Sequence, residues 1–289
     1  MKKIISIALA AVMCLALFAA CGKTAEPTNK TNTPETTTAT EPAGTEPAGT
    51  EATEGAVAVQ FNTVEAGKLI MATNAFFPPY EYYEGEQIVG IDAEIAQAIA
   101  DKLGLELVIN NMEFNSIITA VTTGAADMGL AGMTVTEDRL KEVDFSISYA
   151  SGVQSIIVKE GSSITTVDDL GADGATFKIG VQLGTTGDIY ASDEFGSERV
   201  TQYNNGNEAI LALQKGDVDC VIIDNEPAKA FVAANTGLVV LDTAYAEEDY
   251  AACFAQDNDA LLDAVNAAIE ELITDGTIDA IIEKYIPTK

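Results

Sequence analysis

Apolar positions along this chain switch repeatedly between a period of two and a period near 3.6, the alternation of strands with amphipathic helices that builds an α/β fold on mainly parallel sheets. Residues 68–73 read as a strand. Ile91, Ile95, Ile99 and Leu103 then share one helical stripe, which Asp92 is placed to cap and Gly104 to end. Strands are expected again at 105–109, 128–131, 178–181 and 220–223, and two last helices at 257–275 and 277–285, parted by Gly276.

The pattern also repeats. Asn115, Ile118, Ala120, Gly124 and Asp127 recur 92 residues later as Asn207, Ile210, Ala212, Gly216 and Asp219, each time a helix that stops at glycine before an apolar strand. Generic helix-turn-strand grammar gives such matches too, but the repeat fits two lobes on one βαβ plan. Open parallel sheets bind ligands beyond the carboxyl ends of their strands. Four loops therefore qualify: 74–79 and 132–139 in the first lobe, 183–187 and 224–227 in the second. The chain is expected to cross between lobes near 149–154 and return near 244–252, two crossings that make a hinge. The expected organisation is lobe 1 over 61–150 and 250–289, and lobe 2 over 151–249.

The first 60 residues do not join this pattern. Lys2 and Lys3 precede an apolar run over 4–20 that ends in Ala19-Ala20-Cys21, as an export signal does. A membrane-spanning anchor is the other reading, but the run is short and no basic stop follows it. The cysteine after two alanines resembles the bacterial lipoprotein box, apart from Phe18 where leucine is commoner. That resemblance makes Cys21 the lipidated N-terminus of a protein held on the outer side of the cell membrane. Residues 21–60 are Thr, Glu, Pro, Ala and Gly, with Glu-Pro-Ala-Gly-Thr twice in succession, and hold too little apolar surface to fold; a flexible tether is expected.

Charge and composition narrow the chemistry. With 45 acidic against 15 basic side chains, the 289-residue protein carries a net charge of −30, which makes nucleic acid and anionic membrane poor partners. It has no histidine and no clustered cysteine, which removes the usual zinc sites and the Ser-His-Asp and Cys-His nucleophile arrangements. Neither a metal nor a cofactor is expected, and no catalytic residue stands out. Cys220 and Cys253 lie far apart in strand-like stretches, and sequence leaves their pairing open.

Arginine occurs only at Arg139 and Arg199. Arg139 ends Gly132-Met-Thr-Val-Thr-Glu-Asp-Arg, just past a buried strand, where its planar fork can grip a carboxylate as lysine cannot. A surface ion pair with local acids is the other reading. Gly184-Thr-Thr-Gly opens a helix whose first N–H groups can complete a carboxylate cradle, or is simply a strand-to-helix turn. Asp224 closes an apolar strand, where it would want a cation such as an ammonium group; equally, it can cap the next helix. Asn74-Ala-Phe-Phe-Pro-Pro-Tyr and Phe114 offer aromatic faces to a ligand stem or to the core.

In this order, these pieces resemble the amino-acid-binding proteins of ABC importers, the polar amino acid family of the type II periplasmic binding proteins. The resemblance spans about residues 68–285 and rests on Ala72-Thr-Asn-Ala-Phe-Phe-Pro-Pro-Tyr-Glu-Tyr, Val89-Gly-Ile-Asp-Ala-Glu-Ile-Ala, Ala131-Gly-Met-Thr-Val-Thr-Glu-Asp-Arg, Asp144-Phe-Ser and Gly184-Thr-Thr. It implies a monomer that captures a free amino acid and hands it to the importer's permease subunits. It implies that Arg139, with the backbone of Thr134 and Thr186, holds the α-carboxylate, and that Asp224 with Gly132 holds the α-ammonium. Phe77 and Phe114 would sandwich the side chain, and Asn74 and Gln182 would meet its far end. Relatives with aspartate in place of Asn74 read a basic side chain, so asparagine leaves polar and basic ligands both open. A secreted dehydratase-like enzyme on the same fold, using Glu81 or Glu113 as acid, is the alternative. A sensory ectodomain ranks last, since it expects a spanning helix and signalling domain that the sequence up to Lys289 does not hold.

Overall fold

The computed structural model describes residues 61–242 and 245–287. The export signal, Cys21, the tether and Ala244 lie outside the described residues. In chain order the first lobe opens with strands β1 (Lys68–Thr73), β2 (Phe76–Phe77), β3 (Glu81–Glu84) and β4 (Gln87–Val89), followed by helix α1 (Ile91–Leu103). Strand β5 (Glu106–Asn111), helix α2 (Ile117–Thr122), β6 (Met128–Gly129) and β7 (Val143–Phe145) complete this first pass. The chain then enters the second lobe through β8 (Ala150–Lys159) and α3 (Asp168–Gly171), and continues with β9 (Ile179–Gln182), α4 (Thr186–Phe195), β10 (Val200–Tyr203) and α5 (Gly206–Lys215). There follow β11 (Cys220–Asp224), α6 (Asn225–Ala234), β12 (Leu238–Val240) and β13 (Ala246–Tyr250). Finally β14 (Cys253–Ala255), α7 (Asp259–Thr274) and α8 (Thr277–Tyr285) return to the first lobe.

Each lobe has its own sheet. The first runs β5-β1-β6-β14-β7, with β1 parallel to β5 and β6, while β14 is antiparallel to β6 and β7. The second runs β10-β9-β11-β8-β12, with β9 parallel to both neighbours. Here β8 is the antiparallel member, pairing with β11, β12 and β13. Periodicity could not reveal this reversal, because a strand's direction depends on the connection that delivers it. The two crossings lie side by side: Ala150 faces Tyr250 and Gln154 faces Ala246.

Helix α1 buries Ile91, Ile95 and Ile99 completely, each worth roughly 1.5–3 kcal/mol of apolar burial, and packs against α7 and α8. Gly104 closes it in the left-handed conformation. The expected cap is corrected. The N-cap is Gly90, whose φ of 128° excludes other residues and where a Cβ would stand 2.2 Å from the Tyr80 carbonyl oxygen. Asp92 is fully buried, and its Oδ2 accepts instead from the Gly132 N–H at 2.7 Å and the Tyr149 hydroxyl at 2.8 Å.

The 92-residue repeat has a physical basis. Asp127 accepts the Ile70 N–H at 2.7 Å and returns its own N–H to the Ile70 carbonyl at 2.8 Å. Asp219 does the same with Lys178, both bonds at 2.8 Å. Each aspartate thus pins the neighbouring strand one residue before the ladder between the two begins, satisfying backbone groups left unpaired there. The strand expected over 128–131 stops at Gly129 because the chain turns through Gly132, at φ 51°. Cys220 and Cys253 are buried free thiols in different sheets.

Candidate ligand-binding cleft

The four loops singled out by the strand pattern meet around one cavity between the lobes. It is lined by all nine of the expected ligand-binding residues: Asn74, Phe77, Phe114, Gly132, Thr134, Arg139, Gln182, Thr186 and Asp224, joined by Glu81, Ala131 and Thr185. Among the described residues no group of three or more His, Cys, Asp or Glu is arranged to hold a metal ion.

Arg139 is 7% exposed, in a 3-10 turn steadied by a hydrogen bond from its N–H to the Thr136 hydroxyl at 3.2 Å. Its guanidinium donates to the Thr134 carbonyl at 2.6 Å and, across the cleft, to the Gly184 carbonyl at 3.0 Å. It lies 5.4 Å from the Phe114 ring centroid, a cation–π contact. Burial lowers its pKa from the usual value, and the charge of Glu248 opposes that shift. Two of its five N–H groups are thus committed to carbonyls and three remain.

Opposite stands Asp224, 6% exposed, at the end of β11. It occupies the N-cap position of α6 but its side chain makes no capping bond. It accepts instead from Gln154 Nε2 at 2.8 Å and from the Tyr250 hydroxyl. Burial, then the charge of Glu248, pushes its carboxyl well above the usual range, against the pull of the Gln154 hydrogen bond. Gln154 and Tyr250 belong to β8 and β13, so the hinge strands hold this carboxylate in place.

Helix α4 starts at the cavity. Thr185 caps the Asp188 N–H at 3.3 Å, while Asp188 returns a bond to the Gly184 N–H at 2.9 Å. The N–H groups of the first turn have no partners within the helix and carry its positive dipole end. Gln182 donates to Asn74 Oδ1 at 3.0 Å, so these two residues meet each other across the cleft. Gly132 is held tightly: a Cβ there would come within 2.9 Å of the Phe77 ring.

Sequence reasoning placed Glu81 only as a candidate acid for the enzyme reading, and gave no role to Gln154, Glu248 or Tyr250. Glu81 is fully buried, and neither carboxylate oxygen has a partner in the protein. Glu248 accepts from Thr134 and Gln154, both at 3.0 Å, and so joins the two lobes behind the cavity. The available signal for Gln154 was an amide inside the largely buried strand β8, whereas Glu81 and Glu248 lie in polar strands that gave none.

Comparison with known proteins agrees with this geometry. Residues 69–288 match the bacterial extracellular solute-binding proteins, family 3. The arginine-binding extracellular protein ArtP of Bacillus subtilis is 35% identical over 228 residues, which are 75% of this chain and 86% of that one. An ancestral arginine-binding protein solved with glutamine superimposes with a TM-score of 0.73 at 37% identity, covering 78% of this chain and all of its own. One solved with arginine gives 0.70 at 38% identity, covering 76% and 98%. The fold is therefore the two-lobed type II periplasmic-binding-protein fold, and the relatives are binding components of transporters rather than enzymes. With its two sheets, its paired crossings and a cavity at the strand ends, the chain belongs to the bacterial extracellular solute-binding proteins, family 3.

Proposed function

We propose that this protein captures a free amino acid, polar or cationic in its side chain, and delivers it outside the cell to the permease subunits of an ABC importer. The observation that carries this reading is the placement of Arg139 and Asp224, from opposite lobes, on the wall of one cavity. The three remaining Arg139 N–H groups suit an α-carboxylate, with the backbone of Thr134 and Thr186 as further donors. Asp224 keeps lone pairs beyond those used by Gln154 and Tyr250, and with the Gly132 carbonyl would receive the α-ammonium. An ammonium there also replaces, by its charge, the stabilisation that burial removes from the Asp224 carboxylate.

Phe77 and Phe114 flank the stem of the side chain, and Asn74 and Gln182 stand near its far end. Glu81 adds a buried carboxylate with no protein donor, which favours a cationic head such as a guanidinium; the arginine-binding relatives support the same preference. Closure pivots on the paired crossings, so lobe 1 comprises 61–150 and 250–289, and lobe 2 comprises 151–249. A ligand that touches both lobes binds the closed form better and shifts the population toward it. Cys21 carries the lipid anchor, residues 21–60 form the tether, and the protein acts as a monomer. A thermal-shift screen across free amino acids, followed by calorimetry, tests the reading: cationic or polar amino acids raise the melting temperature, and a panel with no effect overturns it.

A further inference from the structure

At the cavity wall, Glu81 of β3 and Asp92 of α1 are both fully buried and near enough for the charge of Asp92 to act on Glu81. Asp92 Oδ2 is occupied by the Gly132 N–H and the Tyr149 hydroxyl. That leaves Asp92 Oδ1 and both oxygens of Glu81 buried without a donor anywhere in the protein. Unpaired buried acceptors cost about 1–3 kcal/mol each, and more when charged, so three on two neighbouring acids need an explanation. A single proton between the carboxyls supplies one: it lets one acid donate to the other and removes one of two adjacent buried charges.

The surroundings offer no other relief. Tyr80, beside β3, and Tyr149, before β8, are phenols that burial keeps protonated. Asp224 from β11 adds a like charge facing Glu81, and Glu226 from α6 acts on the adjoining Tyr80. Arg139, the cation of the cavity, is engaged with the Thr134 and Gly184 carbonyls. Burial pushes Glu81 well up and Asp92 to about 6, so the proton rests on Glu81 and points at Asp92. Of the two acids, Glu81 alone lines the cavity.

We propose that Glu81 and Asp92 hold one exchangeable proton between them and that the captured side chain decides its fate: a cationic head displaces it to solvent, whereas a neutral amide leaves it in place. This rests on the reading of the cavity as an amino-acid site. The balance is one positive charge in and one proton out, so the net charge of the pair and its partner stays at −1 in both cases. One site thereby serves two side-chain chemistries, and pH sets the preference. Below the titration of the pair, affinity for the cationic ligand rises about tenfold per pH unit while affinity for the neutral one stays flat. Solved structures of similar ancestral proteins hold glutamine in one case and arginine in another, side chains that differ in this respect.

The test is calorimetry of the wild-type protein with arginine and with glutamine near pH 7, above the titration of Asp92, in buffers of different ionisation enthalpy. The dependence of the observed heat on the buffer counts the protons released: close to one for arginine and none for glutamine is the result expected. Glu81→Gln, checked for its fold by circular dichroism, should abolish the release and weaken arginine roughly ten- to a hundredfold. Arginine binding without proton release in the wild-type protein overturns the inference while leaving the amino-acid site standing. Failure of every amino acid to bind overturns both.

Discussion

Gln182, at the end of β9, donates to Asn74, the residue after β1, at 3.0 Å, joining the tips of strands that stand second from the edge in the sheets of the two lobes. Both residues are nearly inaccessible. The bond exists only with the lobes together, so it contributes to closure itself. Asn74→Ala and Gln182→Ala should each weaken amino-acid binding by about 0.5–1.5 kcal/mol. The double variant should fall short of their sum, a coupling that a double-mutant cycle measures by calorimetry.

Arg139 and Asp224 should behave as a pair of anchors. Arg139→Ala and Asp224→Asn each remove one end of the zwitterion's grip, and an expected loss of roughly 2–5 kcal/mol would appear as a steep rise in Kd. Arg139→Lys keeps the charge but not the fork, and should restore only part of the affinity. Unchanged affinity in Arg139→Ala and Asp224→Asn would remove the assignment.

Gly132→Ala meets two obstacles at once: a φ of 51°, and the Phe77 ring 2.9 Å from the new Cβ. The strained backbone alone costs on the order of 1–3 kcal/mol. Thermal unfolding should show the loss, and calorimetry a further fall in affinity as Phe77 is pushed into the ligand's space.

Stability should rise on mild acidification. The Asp92 carboxyl titrates near 6 in the folded protein because burial disfavours its charge, whereas the unfolded chain has the ordinary, lower value. Between those values the folded state binds more protons, so this contribution is complete below the unfolded pKa and is lost as pH rises through about 6. Glu81 and Asp224 are shifted in the same direction. Urea midpoints should therefore increase from pH 7 toward pH 5, and Asp92→Asn should flatten the slope; a midpoint that falls over that window contradicts it.

Cys21→Ala should move the protein from the membrane fraction to the medium. Fractionation followed by immunoblotting reads the outcome, and retention in the membrane would refute the anchor.

Much of this was legible in the chain because the signals were local. The apolar run of β1 is bounded in sequence as it is in space, and the stripe of α1 with Gly104 behind it marked a helix correctly to its last turn. The repeated Asp127 and Asp219 were visible as a motif before their shared role of fastening a strand was known. The nine cavity residues were placed by resemblance, and the structure gathers all of them. What escaped depends on convergence. Gln154 and Glu248 stand 94 positions apart, and nothing near either announces the other. Asp92 was read as a cap since aspartate early in a helix usually serves there. Its actual partners, Gly132 and Tyr149, lie 40 and 57 residues away.

Tyr250 and Gln154 sit in the strands on which the lobes turn, and the same two side chains clasp Asp224. Gly152, on the facing strand, leaves room for the Tyr250 ring, where a Cβ would lie 2.3 Å from its Cζ. The axle and the grip are thus one piece of machinery. On the reading of Asp224 as the partner of the ammonium, a change at Tyr250 or Gln154 would retune how tightly the cargo is held, because the ease of swinging shut is transmitted directly to that acid.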